Sequence, residues 1–257
     1  MGRPTITAVL NAHREGLIAK PSLESLKRNV ARAQDAGFDV EVLVILDRAD
    51  RLTRDVVESQ SEKDFRLIET TFGDPGKARN FAVETAQGTY VAFLDADDLW
   101  GETWLVSAAR IAASRQDPVV WHPEVCVYFC AAKHVFCHID MEDDTFRPAG
   151  LAIENYWTAL SFSARDIYLQ NPYPGTDLTS GFGFEDWAWN METISRGVIH
   201  KIVPGTGHVI RRKTESVSTA TVRVQGITRP NAYIRQFLGR SVSATNSPLL
   251  SSLTERQ

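Results

Sequence analysis

The sequence predicts an α/β protein, a mainly parallel sheet flanked by helices with a smaller region of mixed character behind it. Two observations predict it. Short apolar, β-rich runs alternate with amphipathic segments through the first hundred residues. Those runs are almost unbroken by polar residues, as strands covered on both faces require.

Residues 6–10 read as the first strand. Ser22 then offers a cap for a helix whose apolar face is Leu23, Leu26, Val30 and Ala33, with Gly37 as its stop. Residues 40–46 form a second strand ending in Asp47, and a helix over 52–58, capped by Thr53, follows. Residues 65–69 give a third strand. The turn Gly73-Asp74-Pro75-Gly76 leads into a helix over 77–86, closed by Gly88. Residues 90–94 form a fourth strand that ends in Asp95, Asp97 and Asp98. Such repetition of strand and helix implies parallel pairing.

Beyond Trp100 the pattern changes. A helix is expected over 103–114, a strand pair over 119–139 and an acidic irregular stretch from Asp140 to Asp144. A short helix over 163–170 and a longer one over 185–196 follow, then short strands at 198–203 and 208–211. From about Thr219 the chain becomes rich in Ser and Thr and reads as a tail or linker over 219–257, after one domain over 1–218.

Composition narrows the function. With 28 basic and 32 acidic side chains, the net charge of −4 argues against non-specific nucleic-acid binding. No apolar run approaches the ~20 residues that cross a bilayer, and Met1-Gly2-Arg3-Pro4 leads into a strand without a signal-peptide core. The expectation is a cytoplasmic protein without a transmembrane segment, with room for peripheral association at the inner face of a membrane. His122, Cys126, Cys130, His134 and His138 recur every four residues beside Cys137, so zinc is conceivable, but no C-x-x-C pair is present. Neither G-x-G-x-x-G after the first strand nor a P-loop occurs.

Asp95, Asp97 and Asp98 sit where the chain leaves a central strand, the edge at which open α/β sheets bind ligands. Crowded carboxylates repel unless a cation joins them, and their oxygens suit Mg²⁺ or Mn²⁺, which usually brings phosphate.

Four segments, in this order, carry a resemblance: Leu10-Asn11-Ala12-His13-Arg14-Glu15; Gly76-Lys77-Ala78-Arg79-Asn80 with Gly88; Asp95-Ala96-Asp97-Asp98; and Glu185-Asp186-Trp187. Over residues 5–218 the chain resembles an inverting glycosyltransferase of family 2, with the Rossmann-like GT-A fold. The resemblance implies a donor half over about 1–100 and an acceptor half over about 101–218. It implies metal-dependent transfer from a nucleotide-sugar, UDP-linked by family habit, to a hydroxyl of a glycan or lipid-linked glycan. Asp97 would hold Mn²⁺ or Mg²⁺, and Asp95 the metal or the ribose. Asp186 would be the general base. His13 would stack on the base, Asp47 would accept from the uracil imide, and Arg79 would reach base or phosphate, with Asn11 and Glu15 completing that loop. His208 would complete the metal shell, and Arg211 with its basic neighbours would hold the diphosphate. Helix-start roles for Asp98 and Glu185 stay open. His13-Arg14 and Asp47-Arg48-Ala49-Asp50 depart from the commoner family pattern and leave the base open. The alternative is a catalytically degenerate module that binds nucleotide-sugar without turnover.

Overall fold

A computed structural model describes residues 5–243. The first half is built from β1 (Ile6–Ala12), α1 (Ala19–Asp35), β2 (Val40–Asp47), α2 (Arg51–Gln60), β3 (Arg66–Thr70), α3 (Pro75–Thr85) and β4 (Tyr90–Asp95). The second half begins with β5 (Leu99–Trp100), α4 (Trp104–Ala113), β6 (Val119–Cys130), β7 (His134–Cys137) and α5 (Pro148–Leu151). It continues with β8 (Phe162–Ala164), α6 (Arg165–Gln170), α7 (Glu185–Ser195), β9 (Ile199–Arg212), α8 (Val217–Arg223) and α9 (Ala232–Ser243). The strands join one sheet in the order β3-β2-β1-β4-β8-β6-β9-β5, with β7 on β6. Pairing is parallel from β3 through β4, antiparallel on both sides of β8, and parallel again between β6 and β9. The predicted α/β class and the mixed second region are both present.

The unbroken apolar runs follow from two cores. Ala8, Leu10, Val44, Leu46, Ala92 and Leu94 face α1, α2 and α4 in one cluster. Val9, Leu43, Ile45, Val91 and Phe93 face the opposite side, against α3, α6 and Trp189 of α7. Alternate residues serve opposite faces, so every position must be apolar. On the second side Phe93 meets Tyr168 edge-on, with ring centroids 5.2 Å apart, a geometry worth about 0.5–1.5 kcal/mol beyond buried area.

Several predicted details are corrected. Ser22 lies inside α1 rather than at its start, because a short 3-10 turn over Gly16–Ile18 feeds the helix earlier. Asp50, not Thr53, caps α2, its carboxylate accepting the Thr53 N–H at 2.8 Å. Gly88 is not a helix stop: a Cβ there would lie 2.4 Å from the backbone nitrogen of Thr7, so the residue allows β4 to enter beside β1. The two short strands expected at 198–203 and 208–211 are one long strand, β9, whose pairing with β6 shifts register between Pro123 and Val125.

Within residues 219–243, expected to open a tail or linker, lie most of α8 and all of α9. Ser216 caps α8 with a reciprocal Ser216–Thr219 capping box. Tyr233 of α9 packs with Leu151, Tyr156, Trp157 and Met191 in a third cluster. The Ser/Thr-rich composition concealed a cap and a packed aromatic. Residues 244–257 of the expected tail lie outside the described residues.

Candidate active site

The parallel register sets the site. It aligns Asn11 with Asp95 and Ala12 with Leu46, so β1, β2 and β4 end at one edge carrying Asn11, Asp47 and Asp95. A cavity of about 480 Å³ opens there, lined by Asn11, His13, Glu15, Asp47, Asp97 and Lys213 among others. A second cavity of about 550 Å³ adjoins it, lined by Asp186, Trp187, Trp157, Tyr128 and Asn155 among others. Arg79, Asp95, Asp98 and Glu185 border both.

Arg79 is the keystone of that border. It is buried on α3, and its Nη2 donates to both Asp95 oxygens at 2.9 and 3.1 Å while Nη1 donates to Glu185 at 3.1 Å. Residues far apart in sequence are thereby clamped by a charge-assisted fork. The expectation that Arg79 reaches a base or a phosphate is corrected in part: it lines the first cavity, but both terminal nitrogens are taken by carboxylates. Burial and the neighbouring Asp186 push Glu185 up to about 7, against the pull of Arg79.

Asp97 and Asp98 are buried, and desolvation raises the pKa of both. Asp98 accepts the Arg211 N–H at 2.7 Å and so pins β9 to this turn. Lys213 Nζ sits 2.7 Å from Asp97 Oδ2 and 3.7 Å from Glu15 Oε1. A desolvated carboxylate requires a countercharge, and the lysine ammonium supplies it.

The other first-cavity residues are partly engaged. His13 donates through Nδ1 to the Asp47 carbonyl at 2.5 Å, and its backbone N–H reaches Glu15 at 2.5 Å. Asp47 accepts from Gly73 N–H at 2.7 Å, Asp74 N–H at 3.3 Å and Thr70 Oγ1 at 3.0 Å, so it is first a brace for the loop into α3. Both polar atoms of the Asn11 side chain lack hydrogen-bond partners among the described residues. The Arg211 guanidinium lies over the Phe129 ring at 4.5 Å, and its Nε reaches the Asp97 carbonyl at 3.3 Å.

His208 is a correction. It borders neither cavity; it is buried edge-on to Trp104, with ring centroids 4.7 Å apart. Its position on β9 faces the core against α4, and burial holds it neutral, well below its ordinary pKa. Of the histidines and cysteines spaced by four, His122, Cys126 and His138 lie together in the core, with Cys126 Sγ 3.8 Å from His138 Nε2 and the His122 and His138 rings 5.6 Å apart. His122 bonds His200 at 2.9 Å, whereas Cys130 and Cys137 are exposed.

Among the described residues, no three His, Cys, Asp or Glu side chains are grouped to hold a metal ion. A divalent cation here would need the Mg²⁺-type arrangement of one or two carboxylates plus substrate phosphate. The Asp97 carboxylate, which borders the first cavity, is paired with the Lys213 ammonium. Asp95 is committed to Arg79.

Asp186 lies in the first turn of α7, behind a strained entry, for Phe184 takes the left-handed region at φ 53°. Asp186 Oδ1 accepts the Trp187 N–H at 2.8 Å and Oδ2 accepts from Asn155 at 3.2 Å. Burial raises its pKa. Two residues here escaped sequence reading. Lys213 was visible only as part of a basic run, and Asn155 stands in a loop without any period.

Residues 7–123 match the model described as Glycosyl transferase family 2. Over these residues, just under half of the chain, it is similar to glycosyltransferase family 2. Among the proteins it resembles, the poly(ribitol-phosphate) beta-N-acetylglucosaminyltransferase TarS of Staphylococcus aureus (strain Mu50) is 32% identical over 101 residues, 38% of this chain and 18% of TarS. The chain thus spans under a fifth of that relative. The crystal structure of S. aureus TarS 1-349 with UDP superposes with a TM-score of 0.63 at 15% identity, covering 94% of this chain and 72% of that one. A mannosyltransferase from Pyrobaculum calidifontis, in complex with GDP-Man and Mn²⁺, gives a TM-score of 0.59 at 15% identity, covering 98% and 79%. The fold is the GT-A fold, as expected.

Proposed function

We propose that this protein transfers a sugar, with inversion, from a nucleotide-diphosphate donor to a hydroxyl of a glycan or lipid-linked glycan. One observation carries the reading. Asp97 borders one cavity and Asp186 the adjoining one, and the two share a wall of Arg79, Asp95, Asp98 and Glu185. Donor and acceptor would meet across that wall, with the donor held by the first half of the chain and the acceptor by the region after residue 100.

In the first cavity the nucleotide would lie along the ends of β1 and β2, between His13, Asn11 and Asp47. Glu15 would keep the Lys213 ammonium beside the diphosphate, and Asp95 would face the ribose while fixed by Arg79. A bound Mn²⁺ or Mg²⁺, held by Asp97, would neutralise charge on the departing diphosphate. The Mn²⁺ present in the Pyrobaculum calidifontis neighbour supports a divalent cation in this fold.

In the second cavity Asp186 takes the proton from the acceptor hydroxyl as that oxygen attacks the anomeric carbon. The new glycosidic C–O bond forms on the face opposite the breaking bond, and the nucleoside diphosphate leaves with the bonding electrons. Burial raises the pKa of Asp186, which makes it a stronger base than an exposed aspartate. Trp187 and Trp157 line the same cavity and offer the flat apolar faces on which sugar rings pack.

No helix among the described residues is long and apolar enough to cross a membrane. We assign the reaction to the cytoplasmic side, where nucleotide-sugars would be available, with peripheral contact to a lipid-linked acceptor. The reading is tested by a panel of UDP-, GDP- and dTDP-sugars with Mn²⁺, scored by thermal stabilisation and slow donor hydrolysis. One donor class should raise the melting temperature and be hydrolysed. A flat response across the panel would overturn the assignment.

A further inference from the structure

Resting on that reading, we infer that Asn155 is a positioning residue for Asp186, turning its carboxylate towards the acceptor cavity and favouring its ionised form. Asn155 stands between α5 and β8, and both residues border the same cavity. Its Oδ1 accepts from the Trp157 N–H at 3.4 Å and from Asn190 Nδ2 at 2.9 Å. A backbone N–H can only donate, so the amide oxygen must face Trp157. The amide nitrogen is thereby left facing Asp186, to whose Oδ2 it donates at 3.2 Å.

The brace is anchored in buried structure. Asn190 and Trp157 are 2% and 1% exposed, and Asn190 lies one helical turn beyond Asp186 on α7. With Oδ1 on the Trp187 N–H and Oδ2 on Asn155, rotation of the carboxylate would break a hydrogen bond at either end. The Asn155 donor also bonds better to a carboxylate than to a carboxylic acid, which opposes the effect of burial. Other groups acting on Asp186 are Arg79, which favours its ionised form, and Asp95 and Glu185, which oppose it. The Asp186 charge also acts on the Tyr128 and Tyr173 hydroxyls, disfavouring their ionisation. All of these stay in place in the variants below.

The test measures steady-state turnover from pH 5 to 9 in the full chain, with UDP-GlcNAc or GDP-mannose and Mn²⁺ and water as acceptor. Asn155→Asp sets a second carboxylate against the base, and should move the acidic limb of kcat/KM to higher pH. Asn155→Ala removes the donor and should lower kcat roughly 10–100-fold, the loss of a hydrogen bond to a charged group, with KM for the donor held within about twofold. Both variants should keep their stabilisation by nucleotide plus Mn²⁺, because Asn155 does not border the donor cavity. Wild-type kcat and an unmoved limb in both variants would overturn the inference. So would loss of nucleotide-dependent stabilisation together with turnover, which would mark Asn155 as a residue of the fold. If Asp186→Asn turns over as fast as wild type, or wild type itself turns over neither donor, the proposed function fails instead.

Discussion

Arg79 Nη2 lies 2.9 Å from Asp95 Oδ2, and through this pair α3 is fastened to the end of the central strand β4. The same guanidinium holds Glu185 at the start of α7, so one buried cation ties the first half of the chain to the second. Asp95 and Glu185 would be uncompensated without it. Arg79→Leu should therefore cost about 3–5 kcal/mol of stability, the usual penalty for removing one partner of a buried charge network. Urea denaturation of wild type and variant measures this directly. A loss under about 1 kcal/mol would mean that solvent already compensates the two carboxylates.

Glu185 carries a consequence for pH. Its folded pKa is raised from an ordinary 4.5 to about 7, so the folded protein binds a proton more tightly than the unfolded chain. Stability should then fall as pH rises from about 4.5 to about 7, by at most about 3 kcal/mol from this group, and level off above. Asp97, Asp98 and Asp186, also raised, contribute in the same direction. Glu185→Gln should flatten the slope in urea titrations run across that range. An unchanged slope would place the titration elsewhere.

Lys213 stands where a divalent cation would approach Asp97. Removing it should strengthen binding of Mn²⁺ alone, roughly fivefold, the worth of a half-exposed ion pair of about 1 kcal/mol. Electron paramagnetic resonance of free Mn²⁺ with Lys213→Ala measures this without turnover. Unchanged or weaker binding would show that the lysine does not compete with the metal.

His208 should prove dispensable to metal use. Neither ring nitrogen has a hydrogen-bond partner among the described residues, and burying such groups costs about 1–3 kcal/mol each. His208→Leu should leave the Mn²⁺ dependence unchanged and keep or raise the melting temperature. Loss of Mn²⁺ affinity in that variant would restore the histidine to the metal shell.

The first half of the fold was legible because its strands are buried on both faces, which forces the continuous apolar runs that sequence reading detects. Asp47, Asp95 and Asp97 were legible for a related reason, since a strand that stops in a carboxylate marks the edge of the sheet. The Arg79 clamp was not, because its meaning lies in the spatial meeting of α3, β4 and α7. His208 was misread for a similar cause. Polar strand residues look functional in sequence, and only packing against Trp104 shows which face this one takes. The helices after residue 216 were hidden by Ser and Thr, which serve there as a capping box rather than as a solvated linker.

In the proposed reaction Asp186 activates the acceptor while a separate cavity holds the donor. The most direct measurement compares Asp186→Asn with wild type, following turnover and thermal stabilisation by nucleotide plus Mn²⁺ in the same preparations. Turnover should fall about 10²–10⁴-fold, the usual worth of a positioned base, with stabilisation retained. Turnover at the wild-type rate, or stabilisation lost along with it, would contradict that division of labour.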